Sequence, residues 1–254
     1  MNNMPQIFLQ RVLLLSLVMS LGACHIKVRG NGFRDGQVYI GSQIASREYG
    51  AKQLAGQDIE EHNNTVYVPA GMNVQDINTV NGRVVLERGA SARSVSTVNG
   101  RVQIEGRGSF AGSVDTVNGR ISATQGGEIG GSATTVNGRI NMDSVAVGRN
   151  VETLNGSINL VDVTVGENVE TRNGNVRLEN SVVEQDLIIH SRYRVSLLGL
   201  IDIKRDEPKI IVGPGSEIKG SLIARTDVRL YVHESAKIGN IVGASPLIYS
   251  GGHP

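Results

Sequence analysis

The sequence predicts an all-β fold, a single-stranded parallel β-helix (β-solenoid) of about 18–20 residues per coil. Three observations carry this expectation. The pentapeptide Thr79-Val80-Asn81-Gly82-Arg83 returns, little changed, at Thr97, Thr116, Thr135, Thr153 and Thr171, in steps of 18, 19, 19, 18 and 18 residues. That period is too short for a helix-pair repeat. Each Asn-Gly is followed by an apolar-x-apolar pair, such as Val84/Leu86, Val102/Ile104 and Ile140/Met142, the alternation of a strand with one buried face. Two more columns are apolar in nearly every copy: Ile77, Val95, Val114, Ala133, Val151, Val169, and Ala92, Phe110, Ile129, Val147, Val165, Val183. Each coil therefore reads as three short strands around a stack of Val, Ile and Leu.

Alternation also sorts the motif itself. With Ile77 inside, Thr79 and Asn81 face in, and Asn78 and Val80 face out. Thr, Asn and Gly are the same in all six copies, whereas the Asn78 column reads Asn, Ser, Asp, Thr, Glu, Glu. A buried amide needs partners. Stacked about 4.8 Å apart, the amides of Asn81, Asn99, Asn118, Asn137, Asn155 and Asn173 are expected to bond one another as a structural ladder. The Gly after each Asn is expected to supply a positive φ at the corner.

Residues 1–23 differ from everything downstream. Arg11 is the only charge, and Val12 to Val18 is an apolar run too short to span a bilayer, which reads as an export signal peptide. It ends in Leu21-Gly22-Ala23-Cys24, a sequence that resembles the lipobox of bacterial lipoproteins. The resemblance implies cleavage before Cys24 and a lipid on its thiol, so the membrane is a partner through that N-terminal lipid. Cys24 is the only cysteine, so no disulfide forms and packing alone must hold the exported chain together. His25 stands where an Asp would resemble an inner-membrane retention signal, which points to the outer membrane, facing the periplasm or the cell surface. Removing Arg11 from the 25 basic residues leaves 24 against 24 acidic ones, a balance that argues against nucleic acid as a partner.

The repeat is missing from 24–65, read as a lipidated tether and N-terminal cap; a solenoid's first coil otherwise exposes an open strand edge. Residues 66–182 form the TVNG solenoid. Residues 183–254 continue it in diverged coils and a tail. In that part Leu187, Ile189, Val195 and Leu197 fit a degenerate coil, with His190 and Ser191 at the corner. Arg192 to Arg194 and Lys204 to Pro208 mark an interruption. A step of 20 pairs Val212 with Val232 and Ile218 with Ile238.

No residue is expected to be catalytic, to ligate a metal or to hold a cofactor. The five histidines, His25, His62, His190, His233 and His253, are scattered, and no catalytic or phosphate-loop motif is present. The densest polar patch, Arg192-Tyr193-Arg194 with Asp202, Asp206 and Glu207, reads as a solvated loop. One outward feature stands apart. Arg83, Arg101, Arg120 and Arg139 follow the corner in consecutive copies, before Ser157 and Asn175, beside a stripe of Val80, Val98, Val117, Val136 and Leu154. Like charges that close repel, so each must be screened, paired with a carboxylate such as Glu87, Glu105 or Asp115, or bound to an anion. The strip is a candidate site for an envelope protein or an anionic polysaccharide, unless the segment 25–65 covers it.

The TVNGR repeat with its following apolar-x-apolar strand resembles the bacterial adhesin β-solenoid family, whose repeat reads T-V-N-G-x-I, over roughly residues 66–182. The last two coils resemble bactofilins, polymerising scaffolds of similar coil length. The first resemblance implies a right-handed solenoid at the cell envelope, although an 18-residue period alone suits a left-handed helix equally. The expected function is non-enzymatic, a structural or adhesin-like binding role on a lipid-anchored solenoid. The alternatives are a carbohydrate-active β-helix enzyme and a bactofilin-like scaffold that self-associates through its ends.

Cys24→Ala is expected to abolish lipidation and membrane anchoring. Metabolic labelling with a palmitate analogue checks this, and undiminished labelling of the variant refutes it.

Overall fold

The computed structural model describes residues 56–63, 65–191 and 207–254, together with the backbone strands Phe33–Arg34 and Gln37–Tyr39. The signal segment, Cys24, and the stretch with Arg192 to Arg194, Val195 and Leu197 lie outside the described residues.

The chain winds as an all-β solenoid whose coils contribute to two sheets, of 12 and 14 strands. Among the described residues every pairing is parallel except that of Phe33–Arg34 with Gln37–Tyr39. Twelve strands at about 4.8 Å apiece make a rod roughly 50 Å long. The first sheet holds the strands that follow each Asn-Gly corner, from Val84–Leu86 to Val176–Glu179, in a register that stacks Val84, Val102, Ile121, Ile140, Ile158 and Val176. The second holds the segments that precede each corner and stacks Ile77, Val95, Val114, Ala133, Val151 and Val169. All twelve side chains are buried. Burial of each, Ala133 excepted, contributes on the order of 1.5–3 kcal/mol, which is how a chain without disulfides holds a narrow core.

Three expectations change in register. The early coils hold two strands rather than three, because Asn73–Thr79, Ser91–Thr97 and Phe110–Thr116 are each one continuous strand of seven residues. The split into Glu128–Ile129 and Ala133–Thr135 begins only where Gly130-Gly131 breaks the segment. Phe110 does not belong to the inward column: it pairs with Ser91 and Glu128, and Ala111 takes the position between Ala92 and Ile129. The extra residue of that 19-residue coil moves Phe110 to the surface, where it is 36% exposed.

The third change lies at the corner glycine. None of Gly82, Gly100, Gly119, Gly138, Gly156 and Gly174 has a positive φ. Positive φ falls at a different corner, where Gln125, Ser144, Asp162 and Asn180 stack with φ between 48° and 59°. Each costs of order 1 kcal/mol, and each donates its N–H to the next coil, to Asp143, Val161, Glu179 and Pro214. The motif glycines are needed for space instead. A Cβ on Gly119, Gly138 or Gly156 would overlap the carbonyl oxygen of Gly100, Gly119 or Gly138, one coil earlier.

The solenoid also begins earlier than Val66. Ile59–Glu61 pairs with Asn73–Thr79, Ile59 opposite Ile77 and Glu61 opposite Thr79, and Gln37–Tyr39 pairs with Thr65–Val68. At the far end Val176 and Leu178 pair with Ile210 and Val212, so that the position next to Val176–Glu179 is filled by Lys209–Val212. The described chain runs to Ser191 on one side of this junction and resumes at Glu207 on the other. Beyond it, Val212 pairs with Val232 and Ile218 with Ile238, the expected step of 20 residues.

Gly138→Ala is expected to lower stability by about 3 kcal/mol, because a backbone carbonyl has little freedom to yield, whereas Gly252→Ala, with nothing within 4 Å, should be near neutral. Urea midpoints of the two variants check the contrast.

Candidate functional site: the asparagine and arginine corner

The corner is built by ending a strand at a buried threonine. Thr79, Thr97, Thr116, Thr135, Thr153 and Thr171 are all buried, as alternation predicts. The hydroxyls of Thr97, Thr135 and Thr153 donate at 3.4–3.5 Å to the carbonyls of Gly82, Gly119 and Gly138, one coil earlier. Among the described residues Thr79, Thr116 and Thr171 have no side-chain hydrogen-bond partner.

After the threonine the chain bends, and strand parity no longer applies. Asn81, Asn99, Asn118, Asn137 and Asn155 are therefore exposed rather than inward, and Asn173 is half-buried. The ladder exists nonetheless, on the outside of the corner. Each Nδ2 donates to the Oδ1 one coil earlier, at 2.9 Å for Asn99, Asn118 and Asn137, 2.8 Å for Asn155 and 2.7 Å for Asn173. Backbone amides run beside them, as in Asn118 N–H to the Val98 carbonyl at 2.7 Å. Asn81 also donates, at 2.8 Å, to Asn63, a seventh rung that the sequence motif missed. The signal was present, since Asn63 stands one 18-residue period before Asn81; only its neighbours had diverged.

The ladder stops where His190 replaces the pattern. Its Nε2 lies 2.7 Å from Glu170 Oε2, and both side chains are buried. Arg172, in the Val80 column, donates to the Ser191 carbonyl at 2.9 Å. A second line of polar bridges, again unread in the sequence, joins coils at another corner: Asn168 N–H donates to Asn150 Oδ1, Asp186 N–H to Asn168 Oδ1 and Ser221 N–H to Asp186 Oδ1, at 2.7–3.0 Å.

The four arginines stand side by side as expected, each carbonyl accepting the N–H that opens a strand of the preceding coil, from Val84 to Arg101, Val102 to Arg120 and Ile121 to Arg139. Arg83, Arg101 and Arg139 are exposed and Arg120 is half-buried. Among the described residues no ion pair within 4 Å involves them. Two of the three expected partners are engaged elsewhere: Glu87 accepts from the Ala70 N–H and Glu105 from Gln103. Arg139 is anchored, Nε donating to Ser157 Oγ at 3.0 Å. The neighbouring Val80, Val98, Val117, Val136 and Leu154 are half-buried at the bend. The corner thus presents an apolar line, an amide line and a guanidinium line in parallel. Among the described residues no three His, Cys, Asp or Glu side chains are grouped to hold a metal ion, and no helix is long and apolar enough to cross a membrane.

Asn118 has a rung on each side and Asn173 on one. Because the amides are exposed, Asn118→Ala is expected to cost about 1 kcal/mol and Asn173→Ala less. Urea unfolding of both decides it, and a larger loss for Asn173 would mean that the ladder does not act as a chain of equal rungs.

Comparison of the chain with protein-family models, curated proteins and solved structures finds no match.

Proposed function

We propose that the protein is a lipid-anchored, non-enzymatic β-solenoid of the bacterial envelope, held to the outer membrane through Cys24 and presenting its corner as an adhesin-like binding surface. The observation that supports this most directly is the corner itself. A rod whose coils lock at a glycine-on-glycine contact keeps surface side chains in register over its length, and the side chains it repeats are guanidinium groups that make no ion pair among the described residues. Four like charges in adjacent coils repel by roughly 1 kcal/mol per pair at high dielectric. A carboxylate paired with each would relieve that repulsion. Among the described residues none lies within 4 Å of them, so an external anionic partner is the natural counterweight.

One observation favours self-association as a second role. In the last coil Ile248 follows the buried Val232 in register yet is 64% exposed, with Leu247 at 57% and Val242 at 47%. An apolar strand edge of this kind pairs readily with another copy.

The expected outcome for Arg101→Glu with Arg120→Glu is a stability change within about 1 kcal/mol and a marked loss of crosslinked envelope partners. Unchanged crosslinking would exclude the corner as the binding surface. Sedimentation of the same protein separates the second role, since Ile248→Asp should dissociate any oligomer without touching that capture.

A further inference from the structure

The arginine column does not end at Arg139. Ser157 and Asn175 occupy the next two coils, and the column then resumes with Lys209, which follows Asn175 in register, and Arg229, which pairs with Lys209. Replacing two long cations with short polar side chains opens a groove of about 350 Å³ on the outer surface. Arg139 borders it at one end and Lys209 at the other, with Asn141, Asn159 and Arg177 along its side.

The chemistry of the groove is that of a donor. Ser157 Oγ is taken by Arg139 Nε, and Asn175 Oδ1 by the Lys209 N–H at 2.8 Å, which leaves the Asn175 Nδ2, the remaining Arg139 N–H groups and the Asn159 amide facing outward. Arg177 is paired with Glu179 at 2.7 Å, and Lys209 Nζ lies 4.9 Å from the centre of the Tyr231 ring. Arg139 and Lys209 have no carboxylate within 4 Å among the described residues. Three coil steps separate them, roughly 14 Å.

We infer that this notch binds a linear acidic polysaccharide lying along the rod axis. One sugar residue sits in the notch, its hydroxyls on the Asn and Ser side chains, and the carboxylates of its neighbours meet Arg139 and Lys209. The column continues as Arg120, Arg101 and Arg83 on one side and Arg229 on the other, so the ligand is a polymer rather than a single headgroup. None of the described residues lining the groove is aromatic, whereas single-stranded nucleic acid is held by stacking on aromatic side chains. This deepens the proposed binding role. It does not depend on Cys24, because it is measured without a membrane.

The test is affinity electrophoresis of the full chain through polygalacturonate, with neutral dextran, phosphatidylglycerol vesicles and oligothymidylate as parallel probes. Polygalacturonate should retard the protein, and dextran should not. Arg139→Gln with Lys209→Gln should weaken the interaction about tenfold or more, as loss of two charge-assisted bonds implies. Asn175→Asp, which keeps the acceptor for the Lys209 N–H but adds a negative charge, should weaken it as well, whereas Arg225→Gln should not. Unaltered urea midpoints show that the variants fold. The inference is overturned if polygalacturonate does not bind, if binding survives both notch variants, or if vesicles or oligothymidylate bind in preference. Absence of uronate binding would leave the anchored rod standing, and a failure of anchoring would leave the notch standing.

Discussion

The close approach of one coil to the next at the Thr-x-Asn-Gly corner is the constraint on which the rest of the structure depends. At Gly119, Gly138, Gly156 and Gly174 the backbone of one coil sits so near the carbonyl of the previous glycine that a single methyl group would not fit. That contact sets the coil spacing, brings the asparagine amides to 2.7–2.9 Å from one another and aligns the strands on both sides. A looser corner would leave buried valines one coil apart without full contact, and dispersion falls steeply with such gaps.

Fixing the spacing turns every surface position into a line. Where the line is amide, neighbours satisfy each other and the surface is cohesive. Where it is guanidinium, neighbours repel, and the fold holds them together only because core burial outweighs exposed-charge terms of about 1 kcal/mol or less each. The binding surface and the rigidity of the rod therefore have one origin. Loosening the corner to relieve the charges would also lose the register that presents them.

The regular pattern ends at an identifiable place. At Asn173 the ladder meets Ser191 in register, and the buried Glu170–His190 pair takes over the contact between coils. In the other sheet Lys209–Val212 takes the place beside Val176–Glu179, 34 residues further on. The notch lies beside this discontinuity, where Ser157 and Asn175 interrupt the cations just before the coil that resumes them.

The sequence by itself determined what depends on period and alternation: the coil length, the inward columns at Val84 and Ile77, the buried threonines, the pairing of the asparagines, and the 20-residue step from Val212 to Val232. These follow because a side chain's face in a strand depends on its parity, and a repeat compares one environment with itself. Only the tertiary structure decided which way Asn81 to Asn173 face, since parity fails once the chain bends after the threonine. It also decided that glycine serves proximity rather than positive φ, which is a contact between residues 18 or 19 apart and has no local signature. It placed Asn63 on the ladder and Phe110 outside the core, where one inserted or diverged residue shifts the register. It set Lys209 above Asn175, a pairing across 34 residues that no step of 18 or 19 predicts.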